Sequence, residues 1–213
     1  MNFNPLRYLA IGDSLTVGIG VPFLDPGFVE YYRGQSQQIL NRPIFYQKYA
    51  RSGVTTEDIL KMFYSPIVKG AVNCANIITL TAGGNDLINA AKEYLRNKDE
   101  KIISQAVKQA GNNYSKILER IHQLDKQDQY IIRLTNLYNP FPEIPIADEG
   151  IKAFNSLMSG FGREMNVKVA DIYSVFKGNE EAFLSKGGVH PNSKGYYQMA
   201  LALSRLGYSP LEG

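Results

Sequence analysis

The sequence predicts an α/β fold in which a parallel β-sheet lies between two layers of helices. Five short apolar runs recur along the 213 residues, and turn residues follow each of them. These runs are rich in β-branched residues and show little polar alternation, which is typical of strands that are covered on both faces. Longer segments with helical spacing separate the runs. Strands that alternate with helices favour right-handed crossovers and therefore a parallel sheet.

The individual elements follow from the same patterns. The predicted strands are Tyr8–Ile11, Phe45–Ala50, Ile77–Ala82, Tyr130–Thr135 and Val167–Ile172. The predicted helices are Gly27–Leu40, Thr56–Phe63, Lys101–Lys126, Asp148–Met165 and Ser193–Leu206. Thr55 or Thr56 can cap the second of these helices, and Ser193 can cap the last. After the fourth strand, Pro140, Pro142 and Pro145 predict a loop rather than a helix.

Composition restricts the class of protein. Apolar residues make up 44% of the chain, and 23 Lys and Arg against 20 Asp and Glu give a net charge of +3. Because no segment concentrates the positive charge, a nucleic-acid partner is not expected. No linker divides residues 1–213, so we expect a single domain. No signal peptide or transmembrane segment is visible, so we expect neither export nor integral membrane association.

The single cysteine and the two histidines exclude a Cys/His zinc cluster, and no metal site is expected. Cys74 precedes the third strand and is expected to be a small buried residue. His122 lies in a helical pattern and is expected on a surface or half-buried helix face, without a catalytic role.

Four segments end near the carboxyl edge of the predicted sheet, where open α/β sheets bind ligands. Ser14 follows the first strand, Gly53 follows the second and Asn85 follows the third. His190 precedes the last predicted helix. Asp13, beside the serine, is expected to hold loop amides rather than to carry protons.

These residue types fit nucleophilic catalysis at a carbonyl group. A serine hydroxyl needs a base such as imidazole within hydrogen-bond reach, and His190 is the candidate for Ser14. Attack creates an oxyanion, which the N–H groups of Ser14 and Gly53 and the amide of Asn85 would stabilise. Such a reaction requires no cofactor.

Four motifs in this order resemble the GDSL or SGNH hydrolases, and the resemblance extends over nearly the whole chain. They are Gly12–Leu15 (Gly-Asp-Ser-Leu), the glycine block at Gly53, Gly83–Asp86 (Gly-Gly-Asn-Asp) and His190–Asn192 (His-Pro-Asn). The resemblance implies a three-layer, flavodoxin-like sandwich with strand order 2-1-3-4-5. It also implies an ester hydrolase with Ser14 as the nucleophile. The segment Leu137–Phe141 is most similar to the Bacillus-type lipase branch, which includes spore germination lipases.

One position departs from the family pattern. Family members usually carry an aspartate three residues before the histidine, and this chain has Gly187 there. Either a Ser-His dyad operates, which we favour, or an acid from elsewhere orients His190. Asp171, Glu180 and Glu181 are the nearest acids in the sequence on the approach to that loop.

The expected substrate is a small-molecule ester, with acyl-lipid esters favoured. Four aromatic residues, Phe23, Phe28, Tyr138 and Phe141, are candidates for lining an acyl or aromatic site, with core packing expected for about half of them. Contact with a lipid surface and a cytoplasmic or spore-associated location fit this interpretation, and the sequence carries no signal for a particular oligomeric state. The alternatives are a carbohydrate-ester deacetylase, a binding module for an acyl or sugar ligand, and a flavodoxin-like cofactor domain.

Overall fold

A five-stranded parallel sheet forms the centre of the protein. The computed structural model describes residues 4–99 and 101–212. The strands are β1 (Leu6–Gly12), β2 (Ile44–Ala50), β3 (Ile77–Thr81), β4 (Ile131–Thr135) and β5 (Val167–Ala170). All neighbouring pairs are parallel and the order is β2-β1-β3-β4-β5. The predicted fold class and the strand order implied by the resemblance are both confirmed.

Helices cover both faces of this sheet. In the described residues they are α1 (Ser14–Val17), α2 (Phe28–Leu40), α3 (Thr56–Met62), α4 (Pro66–Cys74), α5 (Gly84–Asn97), α6 (Lys101–His122), α7 (Pro145–Phe161), α8 (Ile172–Phe176), α9 (Glu180–Phe183) and α10 (Ser193–Ser204). Every residue of β3 (Ile-Ile-Thr-Leu-Thr) and β4 (Ile-Ile-Arg-Leu-Thr) is buried, which explains why aliphatic and β-branched residues dominate both strands.

Two apolar cores lie on the two faces of the sheet because successive strand side chains point in opposite directions. On β1, Leu9 and Ile11 join the core formed with α3 to α7. Tyr8 and Ala10 join the core formed with α2, α8 and α10. Each fully buried Ile or Leu contributes roughly 1.5–3 kcal/mol relative to an exposed one.

The structure corrects several boundaries. It shows α4 and α5, which the sequence analysis did not predict. It begins α7 at Pro145, because a proline without an N–H is tolerated in the first turn of a helix, so the loop predicted there is shorter. Strand β5 ends at Ala170, since Asp171 caps α8 by accepting a hydrogen bond from the Ser174 N–H.

The prediction for Cys74 was wrong. The residue is exposed at the carboxyl end of α4 rather than buried, because the core-facing positions of that helix are Val68 and Val72. His122 is the last residue of α6 and its side chain is 24% exposed, as expected for a half-buried helix face. None of the described helices is both long enough and apolar enough to span a bilayer.

Candidate active site

Ser14 lies where β1 turns into α1. The last residue of β1, Gly12, pairs with Ala50 of β2 and with Thr81 of β3, so these three strands end at the same level. A Cβ on Gly12 would collide with the hydroxyl oxygens of Thr81 and Thr16, which is why the chain has a glycine here. The turn therefore places Ser14 at the carboxyl edge of the sheet.

Asp13 fixes this turn. Its carboxylate accepts a 3.0 Å hydrogen bond from the Leu15 N–H and a 2.9 Å bond from the Thr81 hydroxyl. The side chain is buried, and burial raises the pKa of its carboxyl above the usual range. Both hydrogen bonds of the carboxylate therefore hold the turn after β1 and its contact with β3, which fits the structural role expected for Asp13.

His190 faces the serine across the cleft, with 2.9 Å between its Nε2 and Ser14 Oγ. Tyr138 steadies the histidine loop by donating a 2.6 Å hydrogen bond to the Val189 carbonyl. On the other side, Gly20 packs so closely that a Cβ there would lie 3.0 Å from the His190 Cβ. The backbone of the histidine loop is thus contacted by the loop that follows β4 and by the loop that follows α1.

Among the described residues, His190 has no acidic partner. Burial lowers the pKa of its imidazole below the ordinary value of 6.5. Within the described residues, no carboxylate oxygen lies within 4.0 Å of its ring nitrogens and the only hydrogen bond of the ring is the one to Ser14. Burial therefore acts on this group without an opposing negative charge.

The three candidate acids lie in other arrangements. Asp171 accepts a 2.8 Å hydrogen bond from the Asn136 amide and bonds to Ser174 in the cap of α8. Glu180 accepts a 3.0 Å bond from the Gly178 N–H. Glu181 lies in α9 and, like the other two, makes no hydrogen bond to His190 in the part of the chain described.

Gly53 and Asn85 complete the cleft opposite the histidine. Gly53 has a φ of 83°, a left-handed conformation that favours glycine. Its N–H donates to no other described residue. Asn85 lies in the first turn of α5 and donates one amide N–H to the Val54 carbonyl at 2.8 Å. An amide carries two N–H donors, and the second has no acceptor among the described residues, so it can meet a ligand.

A groove of about 420 Å³ extends from these residues between α5 and the start of α7, with a predominantly apolar wall. Besides Ser14, Gly53, Asn85 and His190, its lining includes Leu87, Ile88, Ala91, Leu95, Ile103, Leu137, Tyr138, Phe141, Ile144, Ile146, Ala147, Gly150 and Ile151. Its size is in the range of small-molecule sites in proteins.

Comparison with known proteins decides the family. The model of the GDSL-like lipase/acylhydrolase family matches residues 10–198. The chain belongs to this family. A spore germination lipase, LipC, from Bacillus licheniformis is 41% identical over 210 residues, which cover 98% of this chain and 99% of the relative. This GDSL family member is therefore a carboxylic ester hydrolase.

Solved structures agree at the level of the fold. The lipase Lip_vut3 from a goat rumen metagenome superposes with a TM-score of 0.93 at 41% identity, covering 97% of this chain and all of that one. The acetylxylan esterase Axe2 from Geobacillus stearothermophilus superposes with a TM-score of 0.66 at 19% identity, covering 94% and 93% of the two chains. The second likeness shows the shared fold only.

Of the four aromatic residues proposed as site-lining candidates, some line the groove and the others lie in the core or on the surface. In this GDSL protein Tyr138 and Phe141 line the groove, whereas Phe28, the first residue of α2, is fully buried in the core that α2 forms with α8 and α10. Phe23 is 99% exposed on the loop before α2 and does not line the groove. Two of the four candidates therefore lie where a ligand could contact them.

The sequence analysis missed the groove wall on α5 and a polar clamp beside it. Asp86 accepts hydrogen bonds from the Thr56 N–H at 2.9 Å and from the Thr56 hydroxyl at 2.6 Å. Asn113 of α6 donates to the same hydroxyl at 2.9 Å. The signal for the wall was present in the sequence as apolar residues at helical spacing after Asp86.

Within residues 4–99 and 101–212, no three His, Cys, Asp or Glu side chains gather as a metal site would require.

Proposed function

We propose that this protein hydrolyses acyl-lipid esters through an acyl-enzyme on Ser14, with His190 as the general base. The observation that carries the proposal is the 2.9 Å separation between Ser14 Oγ and His190 Nε2 at the end of an apolar groove. A serine and an imidazole at this distance form an activated nucleophile.

In the first half-reaction, Ser14 Oγ attacks the ester carbonyl carbon while His190 Nε2 accepts the hydroxyl proton. The carbonyl oxygen becomes an oxyanion, which the Ser14 and Gly53 N–H groups and the free Asn85 N–H stabilise. Collapse breaks the bond to the alcohol, which takes the proton from His190 and leaves. The acyl group remains on Ser14.

In the second half-reaction, a water molecule attacks the acyl-enzyme while His190 accepts its proton. The tetrahedral intermediate forms in the same oxyanion site. It then collapses with loss of the Ser14 oxygen, which recovers the proton from His190. The products are the free acid and the original enzyme, and no cofactor takes part in any step.

His190 works in this scheme as a member of a Ser-His dyad. The position of the family's aspartate is Gly187, and none of the three candidate acids makes a hydrogen bond to the ring. The close packing of Gly20 and the Tyr138 bond to the Val189 carbonyl hold the loop instead. In this proposal, the packing of the loop and the bond to Ser14 orient the ring in place of a carboxylate.

Acyl-lipid esters fit the groove better than acetylated sugars do. A sugar ester would require several polar partners around its hydroxyl groups, whereas most of this groove wall is aliphatic or aromatic. The relatives named as lipases support the same class, and the name of the Bacillus licheniformis relative supports a role in spore germination. Contact with a lipid surface is part of this proposal.

Ester turnover by point variants tests the mechanism. We expect Ser14→Ala and His190→Ala to lower kcat by about 10⁴-fold or more, because each removes half of the nucleophile pair. Asn85→Ala should lower kcat by roughly 10²–10³-fold, as the loss of one oxyanion donor does. The measurement is hydrolysis of a 4-nitrophenyl ester by purified protein.

Two variants control for general damage. Ser104→Ala changes an exposed serine of α6, and His122→Gln changes the other histidine of the chain. Both should keep kcat within about threefold of the unmodified protein. Turnover that survives Ser14→Ala would reject Ser14 as the nucleophile. An unmodified protein that binds esters without hydrolysing them would favour the binding module over the enzyme.

A further inference from the structure

One face of α5 forms a continuous wall of the groove, starting at the proposed oxyanion site. Asn85, Ile88, Ala91 and Leu95 follow one another at the spacing of successive helical turns, and all four line the groove. At 1.5 Å per residue, Ala91 lies about 9 Å and Leu95 about 15 Å along the helix axis from Asn85. The distance from the reacting carbon can therefore be read from the position along α5.

The facing wall comes from α7, and it also carries small residues. Ala147 is half-buried and Gly150 is buried, and both line the groove. A Cβ on Gly150 would lie 2.9 Å from the Ile103 Cγ2, so α7 and α6 are packed together here. Each of the two helices thus contributes an alanine to the groove lining, Ala91 on α5 and Ala147 on α7, where a larger side chain would take up groove space.

Large apolar side chains line the same groove and are left open to solvent. Leu95 is 62% exposed, Ile144 42%, Ile88 38% and Phe141 36%. These residues come from both walls. A continuous apolar surface next to a reactive serine indicates a hydrocarbon ligand that covers it.

The chemistry of the reaction decides which part of the ester lies in the groove. His190 must reach the leaving oxygen to protonate it, so the alcohol stays beside the histidine loop. In an acyl lipid the alcohol is the polar part and the acyl chain is the hydrocarbon. The apolar wall that runs away from Asn85 along α5 therefore matches the acyl chain.

We infer that the acyl chain of the substrate lies along α5 from Asn85 to Leu95, and that Ala91 and Ala147 set the length of chain accepted. This inference rests on the proposed function. An extended chain advances about 1.2 Å per bond, as a stretched peptide backbone does, so roughly twelve bonds reach Leu95 and seven or eight reach Ala91. Each methylene buried should raise kcat/KM roughly fourfold until the chain reaches Leu95.

Substitution of the two alanines tests the inference. We expect Ala91→Leu and Ala147→Leu each to lower kcat/KM for a 4-nitrophenyl dodecanoate at least tenfold, because a larger side chain fills the path of the chain. A butanoate chain ends before the level of Ala91 on α5, so its kcat/KM should change less than about twofold in Ala91→Leu, and we expect the same selectivity in Ala147→Leu. All esters are used below the concentrations at which they form micelles.

The matched control is Asn89→Leu, which adds the same side chain on the exposed outer side of α5, away from the groove. It should leave the whole chain-length profile unchanged. A second substrate series keeps an acetyl group and lengthens the alcohol from ethyl to octyl, and kcat/KM should not rise along it. Melting temperatures of all variants are measured alongside.

Three results would overturn the inference while leaving the hydrolase intact. One is a wild-type chain-length profile in both alanine variants, and the second is a rise in kcat/KM along the alcohol series. The third is an equal loss for butanoate and dodecanoate in both variants, which would make the alanines structural. Failure of the unmodified protein to hydrolyse any of these esters would instead reject the proposed function.

Discussion

At the scale of single residues, His190 is the unusual member of the site. It lies 2.9 Å from the nucleophile oxygen but has no carboxylate within 4.0 Å among the described residues. A carboxylate partner stabilises the charged imidazolium and raises its pKa, whereas burial alone lowers the pKa. The direction in which the pKa of His190 is shifted therefore distinguishes a Ser-His dyad from a triad with a carboxylate.

The dyad predicts a particular pH dependence. Attack by Ser14 requires a neutral imidazole, so kcat/KM falls as the pH drops through the pKa of His190. Because burial lowers this pKa below 6.5, we expect the acidic limb of the kcat/KM profile to lie below pH 6.5 and activity to persist into mildly acidic solution. The measurement is a pH profile of kcat/KM with a soluble ester.

Titration of the ring by NMR provides the control for that profile. The chain has two histidines, so the His122→Gln variant assigns the remaining resonance to His190. The pKa from the resonance should equal that of the kinetic limb. A limb at pH 7 or above would contradict the dyad and indicate that a carboxylate contacts the ring.

Residue chemistry was partly visible in the sequence. Ser14, Gly53, Asn85 and His190 could be singled out because each follows a strand or precedes a helix with distinctive turn residues. Ala91 could not be singled out, because an alanine in a helix is compatible with a core, a surface or a groove. Only the packing of α5 against α7 gives it a role.

At the scale of elements, the contact between α3 and α5 determines where the oxyanion donors lie. Asn85 bonds to the Val54 carbonyl, and Asp86 bonds to both the N–H and the hydroxyl of Thr56. These bonds join the segment after β2 to the segment after β3. Gly53 and Asn85 therefore hold a fixed separation only while this clamp is intact.

Loss of the clamp is predicted to lower kcat and to leave KM nearly unchanged. Asp86→Asn removes the charge that accepts both Thr56 hydrogen bonds, so we expect kcat to fall about tenfold with KM nearly unchanged, since the donors act mainly in the transition state. Stability should fall by about 1–3 kcal/mol, because the half-buried carboxylate accepts two hydrogen bonds. Steady-state kinetics and urea unfolding provide the two measurements.

Asp58→Asn is the matched control at this scale. Asp58 accepts hydrogen bonds from the Thr55 N–H and hydroxyl within the cap of α3, without joining α5. It should lower stability while leaving kcat within about twofold. An equal loss of kcat in the two variants would show that the stability of α3, rather than the clamp, controls the oxyanion site.

Elements differed in how well the sequence predicted them. Strands β3 and β4 were placed within a residue at either end because both are buried on both faces and are therefore dominated by aliphatic and β-branched residues. Helix α5 was missed because it begins with Gly84, Asn85 and Asp86, which favour turns in isolation. In the structure this start is stabilised by Gly83, which has a φ of 103°, and by the hydrogen bond that the Thr56 N–H donates to the Asp86 carboxylate.

At the scale of the whole molecule, the parallel order of the sheet brings distant segments together. Ser14 and His190 are separated by 176 residues, yet their side chains meet at one edge of the sheet. The pairing of Gly12 with Ala50 and Thr81 aligns the ends of the three strands that carry the proposed nucleophile and oxyanion donors. The alternation of strands and helices predicted this convergence, and a single domain for residues 1–213 stays a prediction.

The central claim is that the acyl group passes through Ser14, and trapping that intermediate tests it most directly. The protein is mixed with excess 4-nitrophenyl ester, quenched in acid within the first turnover and digested with trypsin. Cleavage after Arg7 and Arg33 releases a peptide of residues 8–33 in which Ser14 is the only serine. We expect the mass of one acyl group on Ser14 in this peptide, and none in the Ser14→Ala variant. Ester hydrolysis with the acyl mass on another residue, or an acylated peptide from Ser14→Ala, would contradict the account.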